Sequence, residues 1–157
     1  MLQFHVLISL VGIVAGLVVL VGLLTGRLSG AWNAVFLITT ILTSLTGFPL
    51  APFGFDPPRA VGVLSLVLLA VAAASYYIFH LAGVWRVVYL GTAIASLYFN
   101  VFVLVAQAFM KLPALKALAP TQSEPPFLVS QIVVLLAFVA LGVLSIFKFR
   151  PGAPARA

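Results

Sequence analysis

Asp56 and Glu124 are the only carboxylate side chains in the chain, and each is followed by Pro-Pro. Together with His5, which the topology below puts on the same side of a membrane, they supply two carboxylates and an imidazole. That set could hold a divalent cation or exchange protons at the mouth of a path, and a metal-dependent membrane enzyme would have to use it. Helix-start chemistry accounts for the acids equally well. An acid ahead of Pro-Pro and a long apolar run caps free backbone N–H groups, and proline at the first helical position has no N–H to lose. No recognised ligand spacing joins the three residues, so no metal is assigned.

His5 and His80 are the only imidazoles. They fall at opposite ends of their helices, about a bilayer thickness apart, so one haem iron cannot bridge them. The chain has no cysteine, which removes thiol catalysis, disulfides, iron–sulfur clusters and Cys-ligated zinc together. Within the apolar segments there is no carboxylate, no histidine pair and no base beside a serine in an identifiable motif. General acid–base and nucleophilic catalysis therefore lack their parts. A non-catalytic protein without a cofactor is expected.

The remaining polar chemistry lies inside the apolar segments. Tyr89, Thr92, Ser96, Asn100 and Gln107 fall within about a third of a helix circumference at roughly 100° per residue, a polar stripe along most of one helix. Thr39, Thr43 and Thr46 align on another, with Asn33, Thr40 and Ser44 on the adjoining face. Amides in hydrocarbon without partners cost several kcal/mol each, so these faces should meet protein or water, and the two are expected to point at each other. They could line a path for a small solute, ion or water. They could also be interhelical joints, since Ser, Thr, Asn and Gln hydrogen-bond across membrane helices for about 0.6 to 2 kcal/mol apiece. Hydroxyls can further bond their own helix backbone.

The elements that must position these groups follow from composition. The chain has 157 residues, 64% of them hydrophobic and 6% charged, with a mean hydropathy of +1.31. That leaves too little polar surface to coat a soluble domain of this size. A span needs roughly 20 mostly apolar residues. The reading is an all-α integral membrane protein, one transmembrane domain over 1–157, with helices at about 6–24, 33–48, 60–80, 87–110 and 127–147 and a short basic tail at 148–157. The second segment is short and hydroxyl-rich, so a re-entrant course stays open beside a full span. If all five span, Arg27, Arg86, Lys148, Arg150 and Arg156 share one side, against Arg59, Lys111 and Lys116 on the other. If the second does not span, the basic residues divide evenly. The positive-inside bias thus favours five spans, N-terminus outside and C-terminus cytoplasmic, and a bacterial inner membrane is expected because no organellar signal is seen. The first segment lacks a preceding basic residue and a following cleavage site, and is expected to stay in the mature protein.

The net charge of +6 is spread over helix ends with no basic stripe, which argues against nucleic acid. Between the last two spans, Leu112, Leu115 and Leu118 recur at helical spacing beside Lys111 and Lys116, suiting either a short interfacial helix or a solvated loop. Gly12 and Gly16 make a small-xxx-small face that could dock the first helix internally or join two copies. Residues 51–58 resemble 119–126 position by position, Asp56 matching Glu124. A duplication would make helices two–three and four–five parallel repeats with helix one added, an arrangement that places substrate at the repeat interface in some transporters. Ordinary helix-start chemistry gives the same pattern. Two functional readings follow: a membrane protein handling a small solute, ion or lipid through Thr39, Thr43, Thr46, Ser96, Asn100 and Gln107, or an accessory or scaffold subunit of a larger membrane complex. The expected partners are the bilayer and either further copies of the chain or that complex.

Overall fold

The computed structural model describes residues 2–50 and 57–151. Asp56, Arg156 and most of the basic tail lie outside them. Six α-helices follow one another: α1 (Leu2–Leu24), α2 (Gly30–Gly47), α3 (Pro57–Ala73), α4 (Val84–Lys111), α5 (Pro113–Leu118) and α6 (Pro125–Lys148), with no strand among the described residues. Five helices are long and apolar enough to cross a membrane: α1, α2, α3 with the turn that continues it, α4 and α6. The chain is thus all-helical with the makings of a multi-pass membrane protein. α2 is one continuous 18-residue helix, about 27 Å long at 1.5 Å per residue.

Local chemistry sets the ends. Ser29 caps α2, its hydroxyl accepting from the Trp32 N–H at 3.5 Å, and Pro49 follows the last turn. Leu112 takes an extended conformation (φ −86°, ψ 118°) because the following proline disfavours a helical one, and this separates α4 from α5. α1 closes through a Schellman motif. The Arg27 N–H reaches Gly22 O at 2.7 Å, the Gly26 N–H reaches Leu23 O at 3.3 Å, and Gly26 takes the left-handed φ of +75° that glycine tolerates. Gly22 permits the closure, since a Cβ there would lie 2.4 Å from Arg27 O.

The start of α6 corrects one expectation. Glu124 occupies the N-cap position, yet its carboxylate makes no capping bond into the helix. Pro125 and Pro126 have no N–H to offer, and the Phe127 N–H is taken by Glu124's own carbonyl at 3.1 Å. The carboxylate instead turns back to accept from Thr121 Oγ1 at 2.8 Å, the Thr121 N–H at 3.1 Å and the Ser123 N–H at 3.1 Å. Desolvation pushes this carboxyl upward, but those donors and its own backbone N–H outweigh it and hold the group below its ordinary value. Glu124 therefore orders the α5–α6 loop. The acid of the other Pro-Pro entrance, Asp56, is outside the described residues.

α3 runs into a single π-turn, Ala74–Ile78, in which the Phe79 N–H reaches back to Ala74 O at 3.0 Å. The matching stretch of α6 is plain α-helix through Lys148, and among the described residues no helix between α2 and α3 corresponds to α5. The two halves that the repeat would relate thus differ in backbone. Beyond the π-turn the chain reverses through His80 and Leu81, both in the left-handed region (φ +49° and +57°). Phe79 stacks on Trp85 across that reversal, centroids 3.7 Å apart and ring planes nearly parallel.

α1 lies along α2, while α4 packs on α3, α6 and α1 and is the hub of the bundle. Phe36, Leu23, Leu69, Leu90 and Leu97 fill the centre. Gly12 and Gly16 serve this internal packing. A Cβ on Gly12 would sit 3.1 Å from Thr39 Oγ1, and one on Gly16 would sit 2.5 Å from Leu97 Cδ1 and 2.9 Å from the Phe36 ring. α6 is peripheral, with only Gln131 and Ser145 buried. α5 is a short helix carrying exposed Leu112 and Leu118 at its flanks.

Candidate functional site

Three side-chain rungs tie α2 to its neighbours. Near one end of the bundle, Tyr89 of α4 donates its phenol proton to Asn33 Oδ1 of α2 at 2.5 Å, and both residues are fully buried. Tyr76, delivered by the π-turn, packs its ring beside Tyr89 at 5.9 Å. Midway along, Asn100 Nδ2 of α4 donates to Thr40 Oγ1 at 3.4 Å. At the far end His5 Nδ1 of α1 meets Thr46 Oγ1 at 2.9 Å. Polar side-chain contacts of this kind hold helices in register where lipid supplies no hydrophobic drive.

The hydroxyls expected to line a path point mostly at their own helices. Thr39 bonds Val35 O at 2.7 Å, Thr43 bonds Thr39 O at 2.8 Å and Thr46 bonds Leu42 O at 2.7 Å. On α4, Thr92 bonds Val88 O at 2.7 Å and Ser96 bonds Thr92 O at 2.8 Å. These satisfy the hydroxyl proton locally, and back-bonding is the usual way a membrane helix carries Ser and Thr. Gln107 is half-buried and makes no hydrogen bond among the described residues. Of the six residues singled out on the polar faces, Asn100 and Thr46 join one helix to another, and the others do not.

The bundle also uses polar groups that periodicity did not mark. Gln131 of α6 donates from Nε2 to Phe102 O at 3.1 Å, and Gln122 of the α5–α6 loop donates to Ala106 O at 2.7 Å. Arg86 places Nη1 on Ile146 O at 2.9 Å and Phe149 O at 2.6 Å, so a cation closes the carbonyl end of α6, where the helix dipole favours it. An amide isolated in an aliphatic run was the available signal for Gln131. Nothing local announced the role of Arg86. Among the described residues two buried side-chain atoms keep no partner, Asn33 Nδ2 and Gln131 Oε1.

Comparison of the chain with protein-family models, with curated proteins and with solved structures returns no match. The site therefore has to speak through its own geometry. A void of about 10 Å³ lies between α1, α2 and α4, walled by Gly16, Val19, Phe36, Ala93, Ile94 and Leu97, with no polar wall. One water would fit by volume, but it would find no hydrogen-bond partner there. His5 and Glu124 share the end of the bundle opposite to His80, and among the described residues no three metal-ligating side chains group together. Arg59, beside the start of α3, reaches back to Phe48 O and Leu50 O at 3.3 and 2.5 Å, tying α3 to the end of α2.

Proposed function

We propose that the protein is a non-catalytic, multi-pass membrane protein that acts as a packing subunit of a larger membrane assembly. The observation that carries this reading is the use made of the polar groups between α2 and α4. Apart from Gln107 and Asn33 Nδ2, the groups singled out there are spent on one another or on their own helix backbones, and Asn33, Thr40, Tyr89 and Ser96 have no exposed surface. Groups that line a path must remain available to a passing solute; groups so paired act as joints.

The outer surface supports the same reading. Gly91, about two turns into the hub helix, is exposed and a Cβ there would meet nothing within 4 Å. A glycine in a helix interior costs about 1 kcal/mol relative to alanine, and a notch on an open face lets a neighbouring helix approach closely. The distribution of Arg27, Arg86, Lys148 and Arg150 at one end fits a cytoplasmic face there, with the N-terminus outside.

Crosslinking of the tagged protein in its native membranes, followed by mass spectrometry of what copurifies, tests the proposal. Stoichiometric foreign membrane subunits are expected, and their loss in Gly91→Leu would locate the contact. Recovery of the chain alone, or only with further copies of itself, would contradict it. The second reading, handling of a small solute or ion, draws on the unmet hydrogen-bonding capacity of Asn33 Nδ2 and Gln131 Oε1, and in that event flux that Asn100→Leu abolishes would support it.

A further inference from the structure

The end of the bundle where α1, α3 and α6 finish and α2 and α4 begin is unusually basic. Arg27, Arg86, Lys148 and Arg150 gather there, Gly26 lying against Lys148 O. Glu124 is at the opposite end, and no carboxylate stands at this one among the described residues. An open recess of about 380 Å³ lies here, walled by Leu81, Gly83, Arg86, Arg150 and Pro151. The two arginines differ in a useful way. The guanidinium of Arg86 is fixed by its two bonds to the α6 carbonyls, which leaves Nε and Nη2 as donors. Arg150 is exposed and has no hydrogen-bond or ion-pair partner among the described residues. Gly83, at the start of α4, offers no side chain to cap the helix. Gly83 thus brings the start of a 28-residue helix to the wall of the recess, beside the two arginines.

The flanks are apolar. Ile78 and Val84 are two-thirds exposed and Phe79 more than a third, and Trp85 and Tyr77 stand beside them at the level where aromatic residues settle between headgroups and hydrocarbon. A free anion would use the arginines and leave this flank idle. A ligand with a phosphate and acyl chains would use both.

We propose that this recess is a binding site for the phosphate of an anionic phospholipid, held by Arg86 and Arg150 with its acyl chains along Ile78, Phe79 and Val84. Basic recesses at the ends of membrane helices suit such headgroups because each cation near the surface contributes about 1 kcal/mol toward an anionic lipid. The inference rests on the membrane reading alone and does not require that the protein be a subunit of anything.

Trp85 reports on the site. In a Trp32→Phe background it is the only tryptophan, and brominated acyl chains quench tryptophan on contact. The purified protein is titrated in mixed micelles with brominated phosphatidylglycerol or brominated phosphatidylcholine. Half-quenching is expected at a clearly lower mole fraction of phosphatidylglycerol. Arg150→Gln should raise that mole fraction about fivefold, the equivalent of one surface cation. Arg27→Gln, at the same end but outside the recess, should leave it within about twofold, and inorganic phosphate at about 10 mM should not compete. Three results would each overturn the proposal: identical curves for the two lipids, equal effects of Arg27→Gln and Arg150→Gln, which would mean diffuse surface charge, or displacement by inorganic phosphate, which would mean a site for the free anion. Arg150 makes no bond within the fold, so its variant keeps the test independent of folding; Arg86 is avoided because it closes α6.

Discussion

Gly16→Leu is expected to destabilise the bundle by about 3 kcal/mol or more. Even a Cβ at this position lies inside contact distance of Leu97 Cδ1 and of two atoms of the Phe36 ring. The tip of Leu97 can rotate, but the Phe36 ring is 1% exposed and Leu97 2%, so neither has room to retreat beyond the small void beside them. Forcing added methylenes into a filled core costs typically 1–3 kcal/mol, and a whole leucine at a glycine site stands at the upper end. Gly16→Ala should cost about 1 to 2 kcal/mol. Gly91→Ala, on the open face of α4, should cost nothing and gain a few tenths through helix propensity. Thermal unfolding in detergent, followed by helical circular dichroism, ranks the three. Equal midpoints for the Gly16 and Gly91 variants would mean that α1 does not dock through Gly16.

The second large effect is expected at the buried rung. Tyr89→Phe leaves both ends of the Asn33 amide unmet in a site with no exposed surface, and Asn33→Leu strands the Tyr89 hydroxyl. Each should cost about 1–3 kcal/mol, the penalty for a buried polar group left alone. The double variant removes both partners and should cost less than the sum. A coupling of about 0.6 to 1.7 kcal/mol is the range expected between membrane helices, read from the same unfolding midpoints as a double-mutant cycle. Additive effects would show that the phenol and the amide do not depend on each other.

The five long apolar helices were readable because long aliphatic runs broken by Pro and Gly leave few alternatives. After Lys111, leucines at helical spacing left a short helix and a solvated loop equally open, and the chain forms the helix, α5. That polar faces on α2 and α4 would meet was also readable, but the residues that meet were not. The rungs use Asn33 and Thr40 on α2, 40 − 33 = 7 residues apart, and Tyr89 and Asn100 on α4, 100 − 89 = 11 residues apart. Seven residues make about two turns and eleven about three. The reach of the tyrosine and the tilt between the helices absorb that difference, and neither is encoded in a periodicity. The Thr39, Thr43 and Thr46 line was the more regular pattern, yet its hydroxyl protons go mostly to the helix itself. Glu124 shows a different limit. Helix-start composition put it in the right place, while the paired prolines that made the signal also removed the N–H groups it was expected to cap. Arg86 meets carbonyls some 60 residues away, a contact visible only once α4 and α6 are side by side.

Whether the polar groups between α2 and α4 are joints or the walls of a path can be measured directly, because the sequence is free of cysteine. Thr40→Cys and Ser96→Cys place small thiols at the two buried positions, with Thr25→Cys in the exposed turn after α1 as the reference. The protein, in open membrane fragments that present both faces, is treated with a charged, membrane-impermeant thiol reagent. Rapid modification at position 25 and none at 40 or 96 is the predicted result. Modification at 40 and 96 at rates approaching that of position 25 would place water between the helices and contradict the account.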